Sequence, residues 1–168
     1  SGRIEYNGQE YKVRPETSAG YQDKNWGKDY TNPWIWLNCN NFKDETGRRI
    51  DSASLDVGGG NPKVAGISVG EKILVAFRYE GKLHEFNFTR LISQRQNWHC
   101  EVGETELSWN VDVSNPTHRL VVRFTAPRAD MILVNYENPR GEKNHKELWN
   151  GGHASGVVEL YRKKGNEL

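Results

Sequence analysis

Charge of one sign is what this chain most plainly lacks: 23 basic residues stand against 22 acidic ones, for a net charge of +1 and a pI near 7.8. That balance supplies no field to hold a polyanion, so nucleic acid and anionic lipid are excluded as electrostatic partners. Long apolar runs are lacking too. The longest is Ile73–Phe77, against the 18 or so residues that a membrane-spanning helix takes, so no transmembrane segment is expected. Cysteine is scarce, and the wide separation of Cys39 and Cys100 fits neither a metal site nor a disulfide scaffold. They read as free, buried thiols in a reducing compartment, with the cytoplasm as the expected location. The histidines, His84, His99, His118, His145 and His153, make no H-E-x-x-H motif or close helical pair, so no metal is expected. Gly58-Gly59-Gly60 is followed by no Gly-Lys-Ser/Thr and opens no helix, which excludes a phosphate loop and leaves a flexible turn as the expectation. No cofactor is implied.

What is present is aromatic. Only 35% of residues are apolar and mean hydropathy is −0.84, yet the chain carries six Trp, seven Tyr and five Phe, so burial must lean on rings. A length of 168 residues fits one domain, 1–168. The chain opens on Ser1-Gly2 without an initiator Met, so a leader or a further domain upstream is expected.

Alternation of period two recurs. In Glu106–Val113 it places Leu107, Trp109, Val111 and Val113 on one face, and Arg119–Ala126 does the same with Leu120, Val122, Phe124 and Ala126. The intervening Asn115-Pro116-Thr117-His118 is a turn signal, which makes the pair a hairpin. Ile73–Tyr79 and Leu83–Phe88 flank Glu80-Gly81-Lys82 as a second hairpin, and Ile4–Tyr6 with Glu10–Val13 flank the turn dipeptide Asn7-Gly8 as a third. Trp34–Asn40, Trp98–Val102, Met131–Tyr136 and Val157–Arg162 bring the total to ten short strands, with loops at 58–62, 138–141 and 150–152. Little helix and no strand–helix alternation predict an all-β antiparallel sandwich or up-and-down barrel, whose interior suits an apolar ligand.

The segment from Tyr21 to Asn40 concentrates Trp, Tyr and amide side chains. Period two along its strand puts Trp34, Trp36, Asn38 and Asn40 on one face, with Ile35, Leu37 and Cys39 on the other. That arrangement fits a pocket wall, or equally a core whose amides tie down loops.

Within this segment Asp23-Lys24-Asn25-Trp26-Gly27 and Pro33-Trp34-Ile35-Trp36-Leu37-Asn38-Cys39-Asn40-Asn41-Phe42 resemble the EKNWG and P-W-F-W-x-Q-C-N-x-F signatures of tocopherol cyclases. Three further landmarks follow in the family's order: the glycine run 58–60, Tyr79-Glu80-Gly81-Lys82-Leu83-His84-Glu85-Phe86, and Lys146-Glu147-Leu148-Trp149-Asn150-Gly151. The resemblance covers about residues 1–165, with departures at Asp23 (Glu in the family), Asn38 (Gln) and Asn144-His145. It implies a lipocalin-like β-domain, the C-terminal one of a longer two-domain protein similar to hydroxyneurosporene synthases. The missing N-terminal domain is then one partner and an apolar, prenylated small molecule the other.

The implied activity is an isomerase reaction, the closure of a ring on a prenyl quinol: an alkene is protonated and a phenol attacks the cation. This needs a carboxylic acid kept neutral in an apolar site and aromatic faces near the cation. Asp23, set among Tyr21, Trp26 and Tyr30, is the first candidate acid, followed by Glu147 and Glu85. Each also has an ordinary reading: an ion pair of Asp23 with Lys24, a cross-strand pair of Glu85 with Arg78, or a loop pair of Glu147 with Lys146 or Lys143. Trp26, Trp34, Trp36 and Tyr79 are the candidate ligand wall, with Asn25 and Asn38 as orienting groups. The alternative in a different class is a lipocalin-like module that binds an isoprenoid or other lipid without chemistry.

Overall fold

The computed structural model of the protein describes residues 1–24, 31–65, 67–87 and 94–164. These residues form strands and one short 3-10 turn, Arg128–Asp130. The chain begins with a two-stranded ribbon of β1 (Gly2–Tyr6) and β2 (Gln9–Val13), turned at Asn7 (φ 51°) and Gly8 (φ 75°). Next come β3 (Trp34–Cys39), β4 (Ser54–Gly60), the short pair β5 (Lys63–Val64) and β6 (Ile67–Ser68), β7 (Lys72–Tyr79) and β8 (Lys82–Asn87). The second half supplies β9 (Arg95–Val102), β10 (Glu106–Ser114), β11 (His118–Pro127), β12 (Ile132–Glu137), β13 (Lys143–Asn150) and β14 (Ser155–Arg162).

Two four-stranded antiparallel sheets carry the core. The first has the order β3-β4-β7-β8 and the second β14-β11-β10-β9. Their facing sides are the alternating apolar sets: Ile35, Leu37, Leu55, Val57, Val75 and Phe77 from one, and Val111, Val113, Leu120, Val122 and Phe124 from the other. All of these are buried in one cluster. The sheets do not close into a barrel, so of the two architectures that alternation allowed, the chain adopts the sandwich. Among the described residues no helix is long and apolar enough to cross a membrane.

All ten strands expected from alternation are present, and four more, β4, β5, β6 and β13, bring the total among the described residues to fourteen. The expected flexible turn at Gly58-Gly59-Gly60 is instead the end of β4, paired with β3 through Trp36↔Gly58, Ile35↔Gly59 and Trp34↔Gly60. Close packing is what demands glycine there. A Cβ on Gly59 would lie 2.7 Å from the Lys72 carbonyl oxygen and 2.9 Å from Ile35 Cγ2, and one on Gly60 would lie 2.8 Å from the Pro33 carbonyl oxygen. Strand β13 replaces the expected loop around Glu147, pairing with β12 through a bulged register between Val134 and Glu137.

Candidate active site

Strand β3 ends the first sheet and β14 the second, so each has one edge with no partner strand among the described residues. Between these flanks lies a cavity of about 1500 Å³. Small-molecule sites run to roughly 300–1000 Å³, so the space exceeds that of a compact ligand and suits one with a long tail. Its floor is aromatic core: Phe77, Tyr79, Trp109 and Phe124 line it. The Phe77 ring stacks on Tyr79 at 5.9 Å between centroids and meets Phe42 edge-on at 5.7 Å. Both faces of β3 contribute because its outer edge is bare, so Trp34, Trp36 and Asn38 line the cavity together with Ile35 and Leu37. Beyond β3, the Trp34 ring meets Tyr136 of β12 edge-on at 6.0 Å, and Leu148 and Trp149 of β13 complete the wall. Trp149 is itself covered by the Arg128 guanidinium, 4.9 Å from the ring centroid.

Four of the expected ligand-wall residues, Trp34, Trp36, Asn38 and Tyr79, thus meet at one cavity; Asn25, Trp26 and Tyr30 lie outside the described residues. The three expected acids do not line it. Asp23 is exposed, and its Oδ1 accepts the Lys24 N–H at 2.7 Å. Glu85 is exposed on the outward face of β8, and Glu147 is exposed on β13. Two of the carboxylates that do line the cavity, Asp44 and Glu159, are tied to cations. Asp44 accepts hydrogen bonds from Thr46 and Arg48, Glu159 accepts from Arg123 and Tyr161, and in both these bonds hold the carboxyl below its ordinary range.

Asp56 departs from this pattern. It sits on β4 opposite Asn38, on the same outward face as Trp36. The Tyr21 ring lies 5.4 Å from Trp36, tilted by 58°, and both side chains lie beside the Asp56 carboxyl. The residue as a whole remains exposed. Loss of water from the carboxyl beneath these rings nevertheless outweighs the favourable polar influence of Tyr21 and Trp36, and with the nearby charge of Asp23 it raises Asp56 above the ordinary aspartate value. Burial and the charges of Asp56 and Asp23 raise Tyr21 as well, which keeps its hydroxyl protonated. In the sequence Asp56 is masked by the glycines after it, which read as a loop, although Ala53, Leu55 and Val57 alternate around it.

Comparison with known proteins decides the lineage. A family model described as tocopherol cyclase-like matches residues 1–160. The chain belongs to the tocopherol cyclase-like family. Among the curated relatives, a chloroplastic tocopherol cyclase of Zea mays is 29% identical over 135 residues, 79% of this chain and 26% of that protein. A probable chloroplastic tocopherol cyclase of Oryza sativa subsp. japonica is 32% identical over 87 residues, 51% of this chain and 17% of that protein. The chain therefore spans about a quarter or less of the length of these tocopherol cyclase relatives. No solved structure matches it.

The two cysteines are free and half-buried; burial, followed by the charge of Glu71, pushes the Cys100 thiol up to about 12, so it is inert as a nucleophile at neutral pH. Among the described residues no cluster of His, Cys, Asp and Glu is arranged to hold a metal ion.

Proposed function

We propose that this domain is part of an intramolecular cyclase that closes a ring on a prenylated quinol or a similar apolar substrate. The observation that carries the reading is the aromatic cavity between β3 and β14, in a chain of the tocopherol cyclase-like family. The prenyl tail lies along the cavity, and Asn38 orients the polar ring. The rings of Trp34, Trp36 and Tyr79 face the tertiary cation that alkene protonation creates, an interaction of up to about 2 kcal/mol when desolvated. The reaction is an isomerisation and consumes no cofactor. Of the expected acids, Asp23 stays in the scheme through its charge on Tyr21 and Asp56, while Glu85 and Glu147 are held in reserve. The remaining length of the protein contributes a second, N-terminal domain that shuts water out of the open flank. We place the protein in a reducing compartment, the cytoplasm by its thiols or a plastid by analogy with its relatives, which are described as chloroplastic.

A second reading has its own support. Two of the cavity's carboxylates, Asp44 and Glu159, are tied to cations, as in a pocket that binds an isoprenoid or other lipid without transforming it. Incubating the whole protein with a prenylated quinol and following products by mass spectrometry separates the two. A chromanol product of unchanged mass and altered retention supports the cyclase; retention of unaltered quinol after long incubation leaves the binding module.

A further inference from the structure

Resting on the reading above that the cavity takes a prenylated quinol or a similar apolar substrate, we propose that the β12–β13 ribbon closes the tail end of the cavity and that Trp149 sets the longest tail it accepts. The two ends of the cavity differ in chemistry. Ile73, near the start of β7, bonds Gln96 of β9, while His84, level with Phe77 toward the other end of β7, meets His118 at the start of β11. The sheets are therefore aligned with the β10–β11 turn at the Phe77 end, which is also the Cys39 end of β3, and with the end of β11 at the Trp34 end.

At the Cys39 end, the loop after β3 and the last part of β14 line the cavity with Asn41, Asp44, Thr46, Glu159 and Tyr161. Asn41, Thr46 and Tyr161 are exposed, and Asn38 lies one residue from the end of β3. This polar, watered end suits the hydroxylated ring of the substrate. At the Trp34 end, Trp34 itself, Trp109, Ala126, Met131, Leu148 and Trp149 line the cavity. Polar groups there are engaged with one another: Asn150 Nδ2 donates to the Tyr136 hydroxyl at 3.3 Å, and His153 Nδ1 lies 3.5 Å from Asp130 Oδ2. Burial of apolar surface places the tail at this end and the ring at the other.

The ribbon stands across that end as a wall. It leaves the second sheet after β11, through Arg128–Asp130, and returns to it in β14, while its Tyr136 ring reaches Trp34 of the first sheet. Its base is tight, since a Cβ on Gly151 would lie 2.5 Å from Met131 Sδ and 3.2 Å from the Asp130 carbonyl oxygen. Trp149 is held under the Arg128 guanidinium, which is fixed in turn. Arg128 Nη1 donates to the Gly103 carbonyl at 3.1 Å, and the Arg128 N–H donates to the Thr105 carbonyl at 2.9 Å. The indole cannot swing aside for a longer tail without losing its cation–π contact. Trp149 is the stop, and Arg128 positions it.

The test measures dissociation constants of the whole protein for prenylated quinols that differ only in tail length, extended by one isoprene unit at a time. Wild type is expected to gain affinity with each unit up to a limit and to lose it beyond. Trp149→Ala frees room on the order of one isoprene unit and is expected to raise that limit, binding the first tail that wild type rejects about tenfold more tightly or better. Trp149→Phe is expected to fall between the two. Arg128→Gln keeps the ring but frees it, and is expected to relax the limit in the same direction by a smaller margin. A merely structural role for the arginine would weaken all tails alike. Should melting curves show that Trp149→Ala does not fold, the same shift is read from Trp149→Phe and Arg128→Gln. A limit that none of these variants moves overturns the stop and leaves the ligand reading standing. A limit that moves instead with Phe42→Ala, at the polar end, reverses the tail and overturns the stop as well. Wild type that retains no member of the series overturns the ligand reading itself, and the stop with it.

Discussion

The two flanks of the sandwich are built from the same kind of edge strand and end differently. At the flank bounded by β8 and β9, the other edge strands among the described residues, side chains bridge the two sheets. The Gln96 Nε2 donates to the Ile73 carbonyl at 2.8 Å, and the Ile73 N–H donates to Gln96 Oε1 at 3.4 Å, beside Leu74↔Asn87, the last pair of β7 and β8. Asn115 Nδ2 donates to the Glu85 carbonyl at 3.2 Å, and the rings of His84 and His118 meet edge-on at 4.6 Å. At the opposite flank β3 and β14 stand apart, and the cavity opens between them. Buried backbone polar groups must find partners, so a sandwich can stitch an edge with carboxamides or leave it open. One closed flank lets the other be open without losing the core.

Phe77 belongs to both sides of that contrast, since its ring touches Phe42 and Tyr79 at the cavity and His84 at the stitched flank. It is 5% exposed, so Phe77→Ala is expected to cost about 3–5 kcal/mol in urea unfolding, a large part of a single domain's stability. A loss below about 1 kcal/mol would separate the two flanks energetically and break the comparison. A smaller effect sharpens it. Gln96→Ala leaves the Ile73 N–H and carbonyl without their partner and is expected to cost about 1–3 kcal/mol, with faster hydrogen exchange at the Ile73 amide. Trp36→Ala at the open flank, where the ring is 39% exposed, is expected to cost less stability than Gln96→Ala while lowering retention of a prenylated ligand. The reverse ranking would mean that the cavity wall, and not the amide stitch, holds the sheets in place.

Legibility in the sequence follows from burial. Strands β10 and β11 were plain because one face of each is buried and the other mostly wet, so Leu107 to Val113 alternate without interruption and Leu120 to Ala126 do so apart from Val121, which is buried on the opposite face. Strand β4 was hidden at its end, because glycine has no side chain to alternate and Gly-Asn-Pro otherwise marks a turn. Strand β13 was hidden for another reason: it pairs only with β12, in a two-stranded ribbon whose register is bulged, and its sequence shows no period. Trp34, Trp36 and Asn38 share the outward face of β3 and Tyr79 lies on the inward face of β7, so period two alone does not bring them together; they meet at one cavity because the outer edge of β3 is bare. Asp56 was out of reach because its meeting with Tyr21 depends on how a segment before β3 folds back over the sheet, and local pattern does not encode that. The open flank was equally out of reach, because which edges remain unpaired is a property of topology.

The stitched flank also carries the smallest expected effect. Burial first, then the charges of His84, Arg162 and Lys82, lower the affinity of His118 for a proton. Its Nδ1 lies 2.8 Å from Thr117 Oγ1, in the turn that Asn115 holds by accepting the N–H groups of Thr117 and His118. The sign follows from linkage. Below the ordinary histidine value of about 6.5 the unfolded chain takes up a proton that the folded chain resists, so folding stability falls as pH drops from there toward the lowered folded value. Above about 6.5 both states are neutral at this position, and His118 adds no slope. The melting temperature of wild type is therefore expected to decline more between pH 7 and pH 5 than that of His118→Gln, by a margin well below the loss in Phe77→Ala. Identical slopes would show that the imidazole pair meets without electrostatic consequence, and the stitched flank would then rest on its amides alone.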